Sequence, residues 1–362
     1  MNIAIVGTRG IPNHYGGFEQ FAEYLSVSLV TNGHKVTVYN SHTHPYKKKK
    51  WKGVRIIHCY DPEYFLGSFG QFFYDFNCII NCRRNHFDII LQLGYTSSSI
   101  WNFLLPRDSI IVTNMDGLEW KRSKYSFMTK RFLKYAEKLA VHYSDHFIAD
   151  SIGIQNYLYN QYNIESRYIP YGTESHNMPR LDILDEYGLS EYNYDLLIAR
   201  IEPENNIELI LQGFLKSKME RNLVVVGNLE TKLGRYISTN YKHDKIRYLG
   251  FISGIEKLNS LRYFSNLYFH GHSVGGTNPS LLEAMASRSL ICAHDNVFNK
   301  SILDKNAFYF INSENITRLI DSTKKANFSE FLINNIDKTE AEYSWQVIND
   351  QYNIFFNEIL EK

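Results

Sequence analysis

Cysteine is scarce. The 362 residues hold four (Cys59, Cys78, Cys82 and Cys292), with no CxxC pair and no zinc-ligand spacing. This excludes a disulfide-stapled scaffold and a zinc ribbon, and reads as the reduced thiols of a cytoplasmic protein. Long apolar runs are also missing, and nothing approaches the roughly 20 residues of a membrane span. The first apolar run is only a strand long and no charged region precedes it, so no signal peptide is expected. Neither sign of charge dominates, with 39 Lys and Arg against 38 Asp and Glu. No nucleic-acid module accompanies the basic residues, so nucleic acid is not an expected partner. There is no internal repeat and no D-x-D metal motif, and low complexity is confined to "KKKKWK". The chain is expected to be soluble or peripheral to a membrane.

What is present is alternation. Strand-like runs alternate with helical patterns, first in "IAIVG", "KVTVYN", "VRIIHCY", "FDIILQLG", "SIIVTNM" and "HFIADS", closing with "SRYIPYG". A second series follows: "YDLLIAR", "NLVVVGN", "IRYLGFI", "NLYFHGHS", "SLICAHD" and "AFYFIN". Such alternation predicts parallel, doubly wound α/β sheets. The expected division is a lobe over 1–172, a polar linker over 173–192, a second lobe over 193–340 and a closing helix over 341–362. Trp345, Ile348, Tyr352, Phe355, Phe356 and Ile359 give that helix one apolar face. Charge is split along the chain. Residues 1–170 hold 19 Lys and Arg against 13 Asp and Glu, leaving 20 against 25 for the rest. A basic front half suits an anionic surface or substrate.

Two glycine-rich stretches lie between a strand and a helix, where open N–H groups cradle phosphates. The first, "GTRGIPNHYGGFEQFAEYL", carries Arg9, His14, Tyr15, Gly16 and Gly17 before Phe18, Phe21, Ala22, Leu25 and Leu29 at helical spacing. It is not a dinucleotide fingerprint: G-T-R-G replaces G-x-G-x-x-G, and the second strand ends in Asn40 instead of an acid. The second, "HGHSVGGTNPSLLEAMASRSL", opens a helix at Asn278, Pro279 and Ser280, an N-cap followed by a proline in the first turn. Its N–H groups near Asn278 to Leu281 are candidates for a diphosphate. Glu283, one turn in, is a candidate for accepting bonds from vicinal sugar hydroxyls.

With "YIPYGTE", "ARIEPENN", "GGTNPSLLEAMA" and the closing "YSW" helix, the whole chain resembles retaining glycosyltransferases of the two-lobed GT-B type, family 4. The addition of "GTRGIPNHYGGFE" and "MDGLEWKR" makes it similar to the bacterial rhamnosyltransferase-like branch that builds surface polysaccharide. The resemblance implies two Rossmann-like lobes with an interdomain cleft and no metal cofactor. It implies transfer of a hexosyl unit from a nucleotide sugar, best dTDP-L-rhamnose, to a lipid-linked saccharide. UDP- and GDP-sugars, and a non-catalytic nucleotide-sugar-binding protein, stay open as alternatives. Arg200 corresponds to the family's donor-diphosphate arginine. The usual lysine five positions later is Asn205, and Arg9 is the candidate substitute. Of the family's paired glutamates only Glu283 remains. The other position is Gly275, which suggests a differently contacted sugar, with His272 or Thr277 filling the gap.

Asp116, in "TNMDGLEWKR", stands where many relatives carry a histidine and is a candidate to orient the acceptor hydroxyl. The D-G turn is the plainer reading of the same residue. Glu119, Lys121 and Arg122, with His14 and Tyr15, are acceptor-side candidates, while Trp120 reads equally as core. His270 reads as a hydrogen-bonded structural histidine. Basic segments, "HPYKKKKWKGVR" and the stripe Lys130, Lys134 and Lys138, are candidates for docking on an anionic inner membrane face.

Overall fold

In the computed structural model, which describes residues 1–14, 16–174 and 179–361, the chain divides into two compact units. The first takes in residues 1–121 and 125–171 together with the closing segment from Trp345. The second takes in 122–124 and 172–344.

The strands of the first unit are β1 (Asn2–Val6), β2 (Lys35–Ser41), β3 (Lys50–Trp51), β4 (Val54–Cys59), β5 (Ile89–Leu93), β6 (Ile110–Asn114), β7 (His146–Ala149) and β8 (Arg167–Tyr168). They form one sheet in the order β3-β4-β2-β1-β5-β6-β7-β8, parallel except where β3 meets β4. Ile3, Ile5, Ile89 and Leu91 have no exposed surface, because helices cover both faces of a parallel sheet. The second unit holds β9 (Tyr194–Ile198), β10 (Asn222–Val226), β11 (Ile246–Gly250), β12 (Tyr268–His270), β13 (Ile291–His294) and β14 (Phe308–Phe310), ordered β11-β10-β9-β12-β13-β14. In both sheets the strand order reverses beside the first strand, between β1 and β5 and between β9 and β12. Ligands of open α/β folds bind outside the carboxyl ends of the strands at such a point. Arg200 follows β9 closely, and Gly271 and His272 follow β12 directly.

All the strands read from the sequence are present, and β3 is an addition hidden inside the lysine-rich tract. The expected linker is largely part of the second unit. Its helix Asp182–Glu186 buries Ile183 and Leu184, two apolar anchors masked by a polar, turn-rich composition. Residues 175–178 of that stretch lie outside the described residues.

The closing helix runs over Trp345–Leu360, and a separate helix, Ser329–Glu342, spans the expected boundary at 341. The closing helix belongs to the first unit. Trp345 stacks flat on Tyr24, with ring centroids 4.5 Å apart, and Tyr352 meets Phe21 edge-on at 5.1 Å. All six of its predicted core residues are buried, worth roughly 10 kcal/mol as an upper estimate.

Candidate active site

The carboxyl edge of the second sheet gathers charge around one histidine. Gly271 is what allows it: a Cβ there would lie 1.9 Å from the Asn205 carbonyl oxygen, so only glycine lets the two loops meet. Asn205 is buried. Its Nδ2 donates to the Arg200 carbonyl at 2.7 Å, and its Oδ1 lies 2.9 Å from His272 Nδ1. With Nδ2 identified as the donor, Oδ1 accepts, so His272 carries its proton on Nδ1 and presents a bare Nε2. Burial, then the positive charges of Arg122 and Arg200, push the His272 pKa down to about 4. The ring is therefore neutral near pH 7. Its backbone carbonyl is held by Asn296 Nδ2 and Asn299 Nδ2, each at 3.0 Å.

Arg200 is well exposed, 4.0 Å from Glu202. Glu202 also meets Arg122 at 3.7 Å and Lys124 at 3.0 Å, and these cations overcome its burial to lower its pKa. A Cβ on Gly275 would lie 3.3 Å from His272 Nε2, and Gly275 has φ +122°, a conformation glutamate rarely adopts. Gly275, where the resemblance implied a glutamate, thus stands in a conformation that disfavours a side chain, with His272 beside it.

The helix Pro279–Ala286 starts as expected, with Asn278 accepting from Ser280 N–H at 2.9 Å. Its N–H groups are a correction. Pro279 has none, Ser280 uses its own on the cap, and Leu281 donates to the Asn278 carbonyl at 3.0 Å. Thr277 is buried beside them. Glu283 is held at 2.7 Å by the fully buried Arg262, which also bonds Ser280 Oγ at 2.9 Å. His270 is buried and its Nε2 has no hydrogen-bond partner among the described residues, so the expectation of a bonded structural histidine is not met at that atom. Burial holds its pKa well below the usual histidine range.

The first unit's glycine loop is organised differently. Glu19, buried at the start of the helix Gly17–Thr31, accepts from Arg9 N–H at 2.7 Å. Burial raises its pKa despite that bond. A Cβ on Gly16 would run into its Oε2 at 2.0 Å. A protein carboxylate thus already takes up a donor of this loop. Arg9 is also a correction: its guanidinium is spent on Asp61 at 3.0 Å and Glu63 at 2.7 Å, leaving it a poor phosphate ligand. Gly16, Gly17 and His14 are exposed, and Tyr15 lies outside the described residues.

Asp116, at φ +35°, sits on a backbone that costs about 1 kcal/mol or more. With Glu119 it lines a cavity of about 710 Å³ reaching from Gly7 and Tyr95 to Phe69 and Met128. Beneath the loop, buried Glu137 accepts from Trp120 Nε1 at 3.0 Å, Lys134 Nζ at 2.8 Å and Tyr157 OH at 2.7 Å. Trp120 is thus an anchor. Lys134 is removed from the expected cationic stripe. Lys121 lies over the Trp120 ring at 5.5 Å.

Arg122, read as acceptor-side, instead joins Arg200, Asn205 and His272. The Asn205–His272 bond, Asn296 and Asn299 were missed, their only signal being amides near a glycine-rich loop. A cavity of about 790 Å³ holds Arg221, Asn266 and Lys325 at the amino ends of the second sheet's strands, the edge away from this cluster. Among the described residues no group of three or more His, Cys, Asp or Glu is placed to hold a metal.

Residues 182–335 match the family model for glycosyl transferases group 1, and residues 1–174 match the domain of unknown function DUF1972. Sucrose-phosphate synthase from Thermosynechococcus elongatus is 16% identical over 99% of this chain and 99% of its own, with a TM-score of 0.81. HepE from Anabaena, solved with UDP-glucose, is 13% identical over 99% of both chains, with a TM-score of 0.73. A glycosyltransferase from Rickettsia africae is 14% identical over 100% of this chain and 98% of its own, with a TM-score of 0.71. At such identities the likeness is one of fold, and the fold is GT-B. No curated protein matches the chain. The fold is thus that of GT-B glycosyltransferases, and residues 182–335 are similar to glycosyl transferases group 1.

Proposed function

We propose that the protein transfers a hexosyl unit, with retention and without a metal, from a nucleotide sugar to a hydroxyl of a lipid-linked saccharide on the inner face of the cytoplasmic membrane. The observation that carries this reading is the placing of Arg122 and Arg200 about a neutral His272 at the switch point of the second sheet. Two guanidiniums there stabilise a leaving diphosphate, and Arg122 supplies the charge that Asn205 does not. His272 Nε2, a bare acceptor, takes a sugar hydroxyl where relatives use a glutamate. Glu283, aligned by Arg262, accepts from the ribose.

In the transfer, the bond from the anomeric carbon to the phosphate oxygen breaks as the acceptor oxygen bonds the same face. The acceptor proton goes to the leaving phosphate. Asp116 orients the acceptor hydroxyl, with Glu119 lining the same cavity. The preferred donor is dTDP-L-rhamnose, because a deoxysugar suits a site in which Gly275 replaces a carboxylate. A UDP-sugar is the second reading, favoured by the complex of HepE with UDP-glucose.

A thermal-shift screen with dTDP-, UDP- and GDP-sugars tests the donor, since saturation a hundredfold over Kd adds about 2.7 kcal/mol of stability. A shift confined to dTDP compounds supports rhamnosyl transfer. A shift confined to UDP or GDP compounds replaces the donor, and binding without turnover on any acceptor leaves a nucleotide-sugar-binding protein.

A further inference from the structure

The sequence directs attention to lysines as the membrane contact, yet the structure displays something else on the first unit. Over residues 64–74, "YFLGSFGQFFY", there is no charged side chain at all. Within it Phe65 is 79% exposed and Phe69 72%, and Tyr64 and Phe73 are also open to solvent. Next to it starts the helix Phe127–Tyr143, whose Phe127 and Met128 are 72% and 71% exposed. The two segments are neighbours. Phe72 meets Phe132 edge-on at 5.6 Å, and Phe69 and Met128 line the cavity that also holds Asp116. Large aromatic side chains exposed together are unusual on a monomer in water and mark an interaction surface.

Charge indicates the partner. From Trp120 to Ala136 the chain has no acid, and Arg131 sits 5.9 Å over the Phe127 ring with Lys130 beside it. The nearby acid Glu63 is already paired with Arg9. An apolar, aromatic crest with Lys130 and Arg131 at its margin, its neighbouring acids either paired with Arg9 or set in the cavity wall, fits the interface of an anionic bilayer, where rings enter at headgroup level and cations meet lipid phosphates. The lysine tract does not share this character. Lys47 bonds the His42 carbonyl at 2.6 Å, and β3 engages the end of the run in the sheet.

We propose that residues 64–73, with Phe127 and Met128, form the surface by which this protein inserts into an anionic membrane, placing the mouth of the Asp116 cavity at the bilayer interface. The proposal deepens the reading of a lipid-linked acceptor and rests on it for its purpose, but its test does not require turnover. Cosedimentation with vesicles of phosphatidylglycerol and phosphatidylcholine measures it directly.

The full-length protein is expected to bind these vesicles, and the triple variant Phe65→Ser, Phe69→Ser, Phe127→Ser to lose at least about tenfold in partitioning. Replacing Lys47 to Lys50 with glutamine should change partitioning less than about twofold. Nucleotide-induced thermal shifts establish that each variant is folded. A Phe65→Trp variant gives an independent readout: blue-shifted fluorescence on vesicles, quenched by brominated lipid. Wild-type partitioning by the triple variant overturns the proposal, as does an indole at position 65 that stays exposed to water on vesicles. So does a patch that light scattering shows to join two copies of the chain while vesicle binding is unchanged. Vesicle binding without glycosyl transfer leaves this surface standing and removes the function proposed above. Transfer to a soluble acceptor with no vesicle binding does the reverse.

Discussion

The two units share one central strand order and one kind of switch point, yet they treat the loop after their first strand in opposite ways. In the first unit the loop is neutralised from within, with Arg9 N–H on Glu19 and the Arg9 guanidinium on Asp61 and Glu63. In the second, two carboxylates, Glu202 and the buried Glu204, face three cations, Arg122, Lys124 and Arg200, and positive charge is left over. Topology offers an anion site at every such point. Whether a phosphate is taken depends on whether the protein has already supplied the anion.

Removing cations one at a time is the sharpest way to break this contrast. Arg200→Ala should lower kcat/KM by about 10²–10³-fold, the cost of one preorganised donor to a developing oxyanion, with nucleotide affinity falling far less. Arg9→Ala should leave nucleotide affinity within about threefold and show its effect as a lower Tm. Steady-state kinetics and calorimetric titration of both variants decide the matter. An Arg9→Ala loss equal to that of Arg200→Ala would mean the internal neutralisation is illusory.

A smaller effect is expected at His272. Removing its acceptor by His272→Ala should cost about 1–2 kcal/mol in sugar-nucleotide affinity and much less for the free nucleotide, since the loss belongs to the sugar. Because the ring's pKa is depressed to about 4, it stays neutral from pH 5 upward. Donor affinity should therefore be flat between pH 6 and 8 and fall only as the pH approaches 4, where protonation turns Nε2 into a donor. A titration of affinity with a midpoint near 6.5 would contradict the buried, cation-flanked ring.

Parallel strands were legible because they are buried on both faces and read as apolar runs. The closing helix was legible from its periodicity. The site was legible only in its local parts: the Asn278 cap, the glycine loops and Arg200. What escaped depends on approaches between distant segments. Arg9 meets Asp61 and Glu63 some fifty positions away, and nothing in "GTRG" foretells them. Asn205 finds His272 only because Gly271 lets two loops touch. Arg122 looked acceptor-side by its place in the chain, yet it joins the second unit. The aromatic crest went unread because an apolar cluster in sequence normally means core, and exposure is a property of the folded surface alone.

The finest test concerns the carboxylate that stands in for a phosphate. Burial raises the Glu19 pKa above 4.5, so the folded chain holds this proton more tightly than the unfolded chain. Between the unfolded and folded values the native state binds more protons, and stability must fall as pH rises through that window. Glu19→Gln keeps an oxygen to accept from Arg9 N–H but has no proton to lose. Its Tm relative to wild type should therefore climb by about 1–3 °C from pH 4 to pH 7, read by calorimetry at matched ionic strength. Parallel pH profiles would show that Glu19 is solvated and not buried against the loop. The first unit would then be as open to an external anion as the second, and the contrast between them would lose its physical cause.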